Sequence, residues 1–333
     1  MIDSALLDRL STRVVGRRRE VELVLAALDA DRHVLLEGPP GTGKSTLLRA
    51  VALELSLGFE FVEGNAELTP ARLVGHFDPA RVLTDGYDPQ VFVDGPLISA
   101  MREGALLYVE EINRIPEETL NVLITVMSER ELHVPRLGRV GASEGFRLVA
   151  AMNPFDAVGT ARISGAVYDR VCRLSVSYQS AADEAFIVAR ALAARTTAAT
   201  TAATTAATTA ATTAATPPPN WIDNAVAVVR LTRSHAELRV GSSVRGAIDA
   251  AAVAVSLAQL RGVPVDDPDV GLDAAILALS GRVRVREGVT RTSEDIITEL
   301  WKSVFQRGAD GERSDGADGP GKAGAPTGAN RCR

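Results

Sequence analysis

Residues 33–46 read His33-Val34-Leu35-Leu36-Glu37-Gly38-Pro39-Pro40-Gly41-Thr42-Gly43-Lys44-Ser45-Thr46. A short apolar run suited to a buried strand passes into G-x-x-x-x-G-K-[ST], and a helix-forming stretch, Thr46 to Leu55, follows at once. In that setting the glycines allow backbone N–H groups to turn inward around phosphates. Lys44 adds a positive charge at the β and γ oxygens, and Ser45 offers a hydroxyl to Mg²⁺. A Gly-rich turn with a solvated lysine is the plainer reading, and the strand before and helix after weigh against it. Gly38, Pro39, Pro40, Gly41, Thr42, Gly43, Lys44, Ser45 and Thr46 are therefore the candidate nucleotide-binding residues, with ATP and Mg²⁺ as the expected ligands.

Outward from this loop, residues 14–177 alternate short apolar runs with amphipathic stretches, the pattern of strands and helices wound into a mostly parallel sheet. Strands are expected at 33–37, 59–63, 105–109, 147–152 and 173–177. The third ends in Glu110 and Glu111, where such a fold needs one carboxylate for the hydrated metal and one for the attacking water. Glu110 is the metal candidate and Glu111 the general base; two acids merely closing a strand is the alternative. Asn153, after the fourth strand, reads either as a polar group facing water or the γ-phosphate, or as an Asn turning the chain before Pro154. Arg170 and Arg245 read either as phosphate sensors or as surface arginines. His133, Arg136 and Arg139 fall in an expected hairpin and read as a solvated charged loop or a contact for a client.

The strands stop near Ser180, and Ala-rich helical patterns occupy 181–195, 221–234, 243–261 and 270–280. The expected organisation is a nucleotide-binding domain over 1–178, a helical lid domain over 179–305 and a disordered tail over 306–333, which is rich in Gly, Asp and Ala. A Thr/Ala tract at 196–219, ending in Pro217, Pro218 and Pro219, interrupts the lid and reads as a frayed helix or a flexible insertion. Over 333 residues, 46% are hydrophobic but only 4% aromatic, so the core must be Ala, Val, Leu and Ile. A net charge of -6 argues against a general grip on nucleic acid or anionic lipid. Cys172 and Cys332 lack metal-ligand spacing and suit a reducing cytoplasm. No apolar run approaches the ~18 residues that span a bilayer.

The order and wording of these motifs resemble the MoxR family of AAA+ ATPases over residues 14–290. The resemblance rests on Val14-Val15-Gly16, Glu37 to Lys44, Glu63-Gly64-Asn65, Glu111-Ile112-Asn113-Arg114 with Pro116, Ala151-Met152-Asn153-Pro154, and Asp169-Arg170. It implies an α/β P-loop AAA+ domain with a parallel five-stranded sheet in the order 5-1-4-3-2, an insertion around Asp85 to Asp94, a hairpin before the fourth strand and a C-terminal helical lid. It also implies that Asn153 is the first sensor, Arg170 an arginine finger acting across a subunit boundary and Arg245 the sensor of the lid. Val14 and Gly16 would belong to the adenine pocket. The implied assembly is a hexameric ring that acts chaperone-like on a protein client with a von Willebrand A domain partner. Glu110, where the family carries aspartate, is a departure, as is the Thr/Ala tract within the lid.

Three functions follow as competing expectations. The first is a ring ATPase that remodels a protein. The second, motivated by Glu110, is a binding switch that hydrolyses slowly or not at all, because one extra methylene changes the reach to the metal. The third is a DNA motor, which the acidic chain disfavours.

Overall fold

The computed structural model describes residues 4–154, 163–203 and 217–314. The chain divides into two compact units, residues 1–187 and 188–333, and the division falls inside the helix Ala181–Ala203. Among the described residues no helix is long and apolar enough to cross a membrane.

The first unit is built on five parallel strands: β1 (His33–Glu37), β2 (Phe59–Glu63), β3 (Leu106–Glu110), β4 (Arg147–Met152) and β5 (Val171–Ser175). Their order is β2-β3-β4-β1-β5, which read from the other edge is the expected 5-1-4-3-2. Successive side chains of a strand point to opposite faces. Leu35, Leu107, Val109, Leu148 and Ala150 accordingly enter one apolar cluster, while Val34, Leu36, Leu106, Tyr108, Val149 and Ala151 enter another on the opposite face. Both faces of the sheet are thus covered, as parallel sheets require.

Two strands differ from the sequence expectation. β3 begins at Leu106 and includes Glu110, which pairs with Glu63 of β2. β5 begins two residues earlier than expected, because Val171 and Cys172 pair with His33 and Val34. As an edge strand β5 buries little of its length, so its apolar pattern is a poor guide to where it starts.

Two hairpins interrupt the αβ alternation. One pairs Gly75–Phe77 with Phe92–Asp94, a wider insertion than the expected 85–94, and the other pairs Glu131–Val134 with Gly138–Gly141. They meet where the Arg136 guanidinium lies 3.6 Å from the centroid of the Tyr87 ring. His133 and Arg139 lie opposite one another in the second hairpin, and Arg139 pairs with Glu131 at 3.5 Å.

In the second unit the helices Pro219–Ser234, Val244–Arg261, Pro268–Leu279 and Ser293–Ser314 pack through small residues. Ala247, Ala250, Ala251 and Ala254 of one helix and Ala274, Ala275 and Ala278 of the next are all buried. Trp221, Trp301 and Phe305 close one end, with the last two rings stacked at 3.8 Å. The helix Ser293–Ser314 was not anticipated, and it runs past Gln306 into the stretch expected to be disordered. The remainder of that stretch, 315–333, lies outside the described residues. Of the Thr/Ala tract, the part to Ala203 continues the helix from Ala181, 204–216 lie outside the described residues, and Pro219 opens the next helix.

Candidate functional site

The loop 38–43 joins β1 to the helix Lys44–Glu54. Its first residue must be glycine, since a Cβ on Gly38 would lie 2.0 Å from the Val176 carbonyl oxygen. Gly41 and Gly43 hold φ of 74° and 84°, the left-handed region where a side chain is costly. Lys44 is buried, and its ammonium donates to the carbonyls of Gly38 at 2.8 Å and Pro39 at 3.0 Å. The cation is thus held over the mouth of the loop by the loop itself.

Ser45, one residue into the helix, lies against the end of β3. Its hydroxyl donates to Glu110 Oε1 at 3.1 Å and stands 3.2 Å from the Tyr108 hydroxyl. Burial holds the Tyr108 phenol above its ordinary pKa, with the Ser45 hydrogen bond working the other way, so it stays protonated. Serine hydroxyl and carboxylate at hydrogen-bond distance are the donor set that a P-loop site offers to Mg²⁺, which takes few protein oxygens and completes its shell with water and phosphate. Among the described residues no cluster of three or more His, Cys, Asp or Glu offers an all-protein metal cage instead. The extra methylene of Glu110 therefore does not keep its carboxylate away from Ser45.

Glu111 follows at φ 53° and ψ 44°, a left-handed conformation that a residue with a side chain adopts at a cost of about 1–3 kcal/mol. The turn carries its carboxylate out of the strand direction, where Oε2 pairs with Arg114 Nε at 3.1 Å. Asn113, in the same turn, is buried with its Oδ1 lacking a hydrogen-bond partner among the described residues. Asn153 lies one residue beyond Met152, which is level with Glu37, and β4 stands between β1 and β3. It is thus flanked by the Lys44 loop and the Glu110–Glu111 turn.

Arg170 sits at the other end of the sheet. It precedes Val171, which pairs with His33 at the start of β1, while the phosphate-binding loop follows Glu37 at the strand's end. Four residue steps of strand separate these ends by about 13 Å. The Arg170 guanidinium is fixed by Ser128 Oγ and by the Ala166 carbonyl at 2.8 Å. It lines a cavity of about 430 Å³ together with Arg32, His33, Ser128, Arg130 and Asp169. Burial, and after it the charge of Arg130, pushes the His33 imidazole down to about 4.

Val14 is buried in the apolar cluster on the Leu36 face, and Gly16 has φ 67°. Arg245 is in the first turn of the helix Val244–Arg261, in the second unit.

Among the buried ionic groups that sequence reading missed, two touch or adjoin the phosphate-binding loop. Glu37, 3% exposed, accepts from Tyr168 at 2.8 Å and pairs with Arg173. Arg17, 2% exposed, donates to Thr42 O in the phosphate-binding loop.

The parallel sheet in this strand order, with the loop 38–43 following β1, is the P-loop AAA+ fold. Residues 33–171, less than half of the chain, match the family model described as AAA domain (dynein-related subfamily). An uncharacterized protein of Staphylococcus epidermidis (strain RP62A) is 35% identical over 155 residues, 46% of this chain and 58% of the relative. An uncharacterized protein of Staphylococcus aureus (strain USA300) is 36% identical with the same coverage. The chain thus spans little more than half the length of the curated relatives it matches. Among solved structures, the Thermotoga maritima RuvB Holliday junction branch migration motor is similar with a TM-score of 0.50 at 17% identity, covering 80% of this chain and 72% of that one. At that identity the likeness speaks for the fold alone.

Proposed function

We propose that this chain is an ATP-hydrolysing AAA+ protein of the MoxR type, working as a ring and using ATP to remodel a protein client. The observation that carries hydrolysis is the convergence of Lys44, Ser45, Glu110 and Glu111 at one end of the sheet, with Ser45 and Glu110 3.1 Å apart. Ser45 and Glu110 would hold Mg²⁺, which would supply charge neutralisation to the phosphates. Lys44 binds the phosphates, Glu111 takes the proton of the attacking water, and Asn153 orients that water or the γ-phosphate.

The ring is supported by the position of Arg170. It stands at the opposite end of β1 from its own phosphate-binding loop, so it serves a nucleotide only from a neighbouring subunit. In this reading Val14 and Gly16 border the adenine, Arg245 senses the phosphates from the helical lid, and Thr46 completes the loop's grip. Hexameric assembly, a von Willebrand A domain partner and a cytoplasmic setting belong to the same proposal and rest on the motif resemblance. The Ser45–Glu110 hydrogen bond favours hydrolysis over the slow-switch alternative, and the turnover test below separates the two. A DNA motor finds support only in the fold of RuvB, against a net charge of -6.

The test is ATP turnover by the full chain over a range of protein concentrations, with Lys44→Ala as the binding-defective control. Specific activity rising with concentration, and lost in the control, is expected. Wild-type protein that binds ATP without turning it over would replace this proposal with the switch.

A further inference from the structure

A loop whose N–H groups face phosphate must turn carbonyls the other way, and buried carbonyls need donors. Thr42 lies between the two left-handed glycines and is 1% exposed. Its carbonyl is met by Arg17, whose Nη2 donates to it at 3.0 Å and also to the Ser177 carbonyl. Nη1 of the same guanidinium pairs with Glu20 at 2.8 Å. One side chain therefore ties together the segment after Gly16, the phosphate-binding loop and the chain leaving β5.

This is an expensive way to hold a fold together. Arg17 is 2% exposed, and its Nε has no hydrogen-bond partner among the described residues. Replacing a buried ion pair, both partners together, with well-packed apolar side chains is often neutral or stabilising, so stability alone does not call for the Arg17–Glu20 pair. What an apolar residue lacks is a rigid planar fork with a fixed charge, able to hold two carbonyls at set positions.

We infer that Arg17 is a positioning residue for nucleotide binding: through the Thr42 peptide it sets the Gly41–Lys44 backbone for phosphate. Arg17 touches the loop from behind and does not meet the nucleotide. This inference rests on the reading of the loop as a nucleotide site.

The experiment uses the full chain and compares wild type with Arg17→Lys, Arg17→Met and Glu20→Gln. Affinity for MgADP is measured by calorimetry, melting temperature without nucleotide by scanning, and KM and kcat by ATP turnover. Arg17→Lys keeps the charge but loses the fork; it should melt below wild type, as Glu20→Gln should, and in addition bind MgADP about ten- to a hundredfold more weakly, because the loop is no longer fixed by a charge-assisted hydrogen bond. KM should rise by a similar factor and kcat at saturation should fall less. Wild-type MgADP affinity in both Arg17 variants overturns the inference. So does an affinity loss that merely follows the melting temperature and is matched by Glu20→Gln at equal destabilisation. Failure of the wild type itself to bind MgADP would bring down the site reading first, and is distinguishable because no substitution is involved.

Discussion

Strand β1 carries a buried ionisable side chain at each end, Glu37 at 3% and His33 at 7% exposure, and the two ends are used differently. At the Glu37 end, backbone N–H groups and Lys44 are gathered to receive phosphate, and the acid is satisfied by Tyr168 and Arg173. At the His33 end, a neutral imidazole lies beside a cavity lined by Arg32, Arg130 and Arg170 and by the carboxylates of Asp31 and Asp169. In the proposed reading one end takes the nucleotide and the other turns Arg170 towards a neighbouring subunit. On that reading the separation of the loop and Arg170 along one strand is the reason the proposal needs a ring.

The sharpest way to break this comparison is Arg170→Ala. An arginine acting on the transferred phosphoryl group contributes about 10³–10⁵ in turnover, and that loss is expected here with ATP binding retained. Mixing Arg170→Ala subunits with Lys44→Ala subunits should restore part of the activity, because a boundary between the two can pair an intact loop with an intact arginine. Full activity in Arg170→Ala alone would mean that the two ends of β1 do not cooperate.

Glu111→Gln addresses the upper end alone. Removing a general base costs about 10²–10⁴ in rate, so turnover should fall by that factor while MgATP affinity stays near wild type. Equal losses in binding and rate would instead make the Glu111–Arg114 pair a scaffold for the turn.

Much of this was legible in the sequence, for reasons particular residues make clear. The loop could be read because its glycines, Lys44 and Ser45 meet steric and charge demands that few other sequences satisfy, and the strand order followed from the family resemblance. Arg17 could not be singled out from Arg17-Arg18-Arg19: the run reads as a charged helix start, and only packing shows that the first is buried while Arg18 pairs with Asp8 in solvent. Glu37 reads as an ordinary strand end, since its partners lie 131 and 136 residues away. The last helix carries a legible stripe in Ile296, Ile297, Leu300 and Trp301 that was passed over, whereas its C-terminal part, Gln306 to Ser314, is too polar and glycine-bearing to show one.

The smallest expected effect lies at the lower end of β1 and has a definite sign. His33 Nδ1 accepts the Leu148 N–H at 2.9 Å, so the fold needs the neutral ring; protonating that nitrogen would break the bond and place a cation beside Arg130 and Arg32. Because burial lowers the folded pKa from 6.5 to about 4, the unfolded chain binds a proton between those values that the folded chain refuses. Stability from this site is therefore complete above pH 6.5 and declines as pH falls towards 4, by about 2 kcal/mol between pH 7 and 5. Denaturant unfolding of the full chain at the two pH values, compared with His33→Gln, isolates the contribution: glutamine can still accept the Leu148 N–H but does not titrate. The variant should lose about 2 kcal/mol less than wild type on acidification. Equal losses would mean that His33 already carries a proton in the fold, and the lower end of β1 would then be more positive than its arginines alone make it.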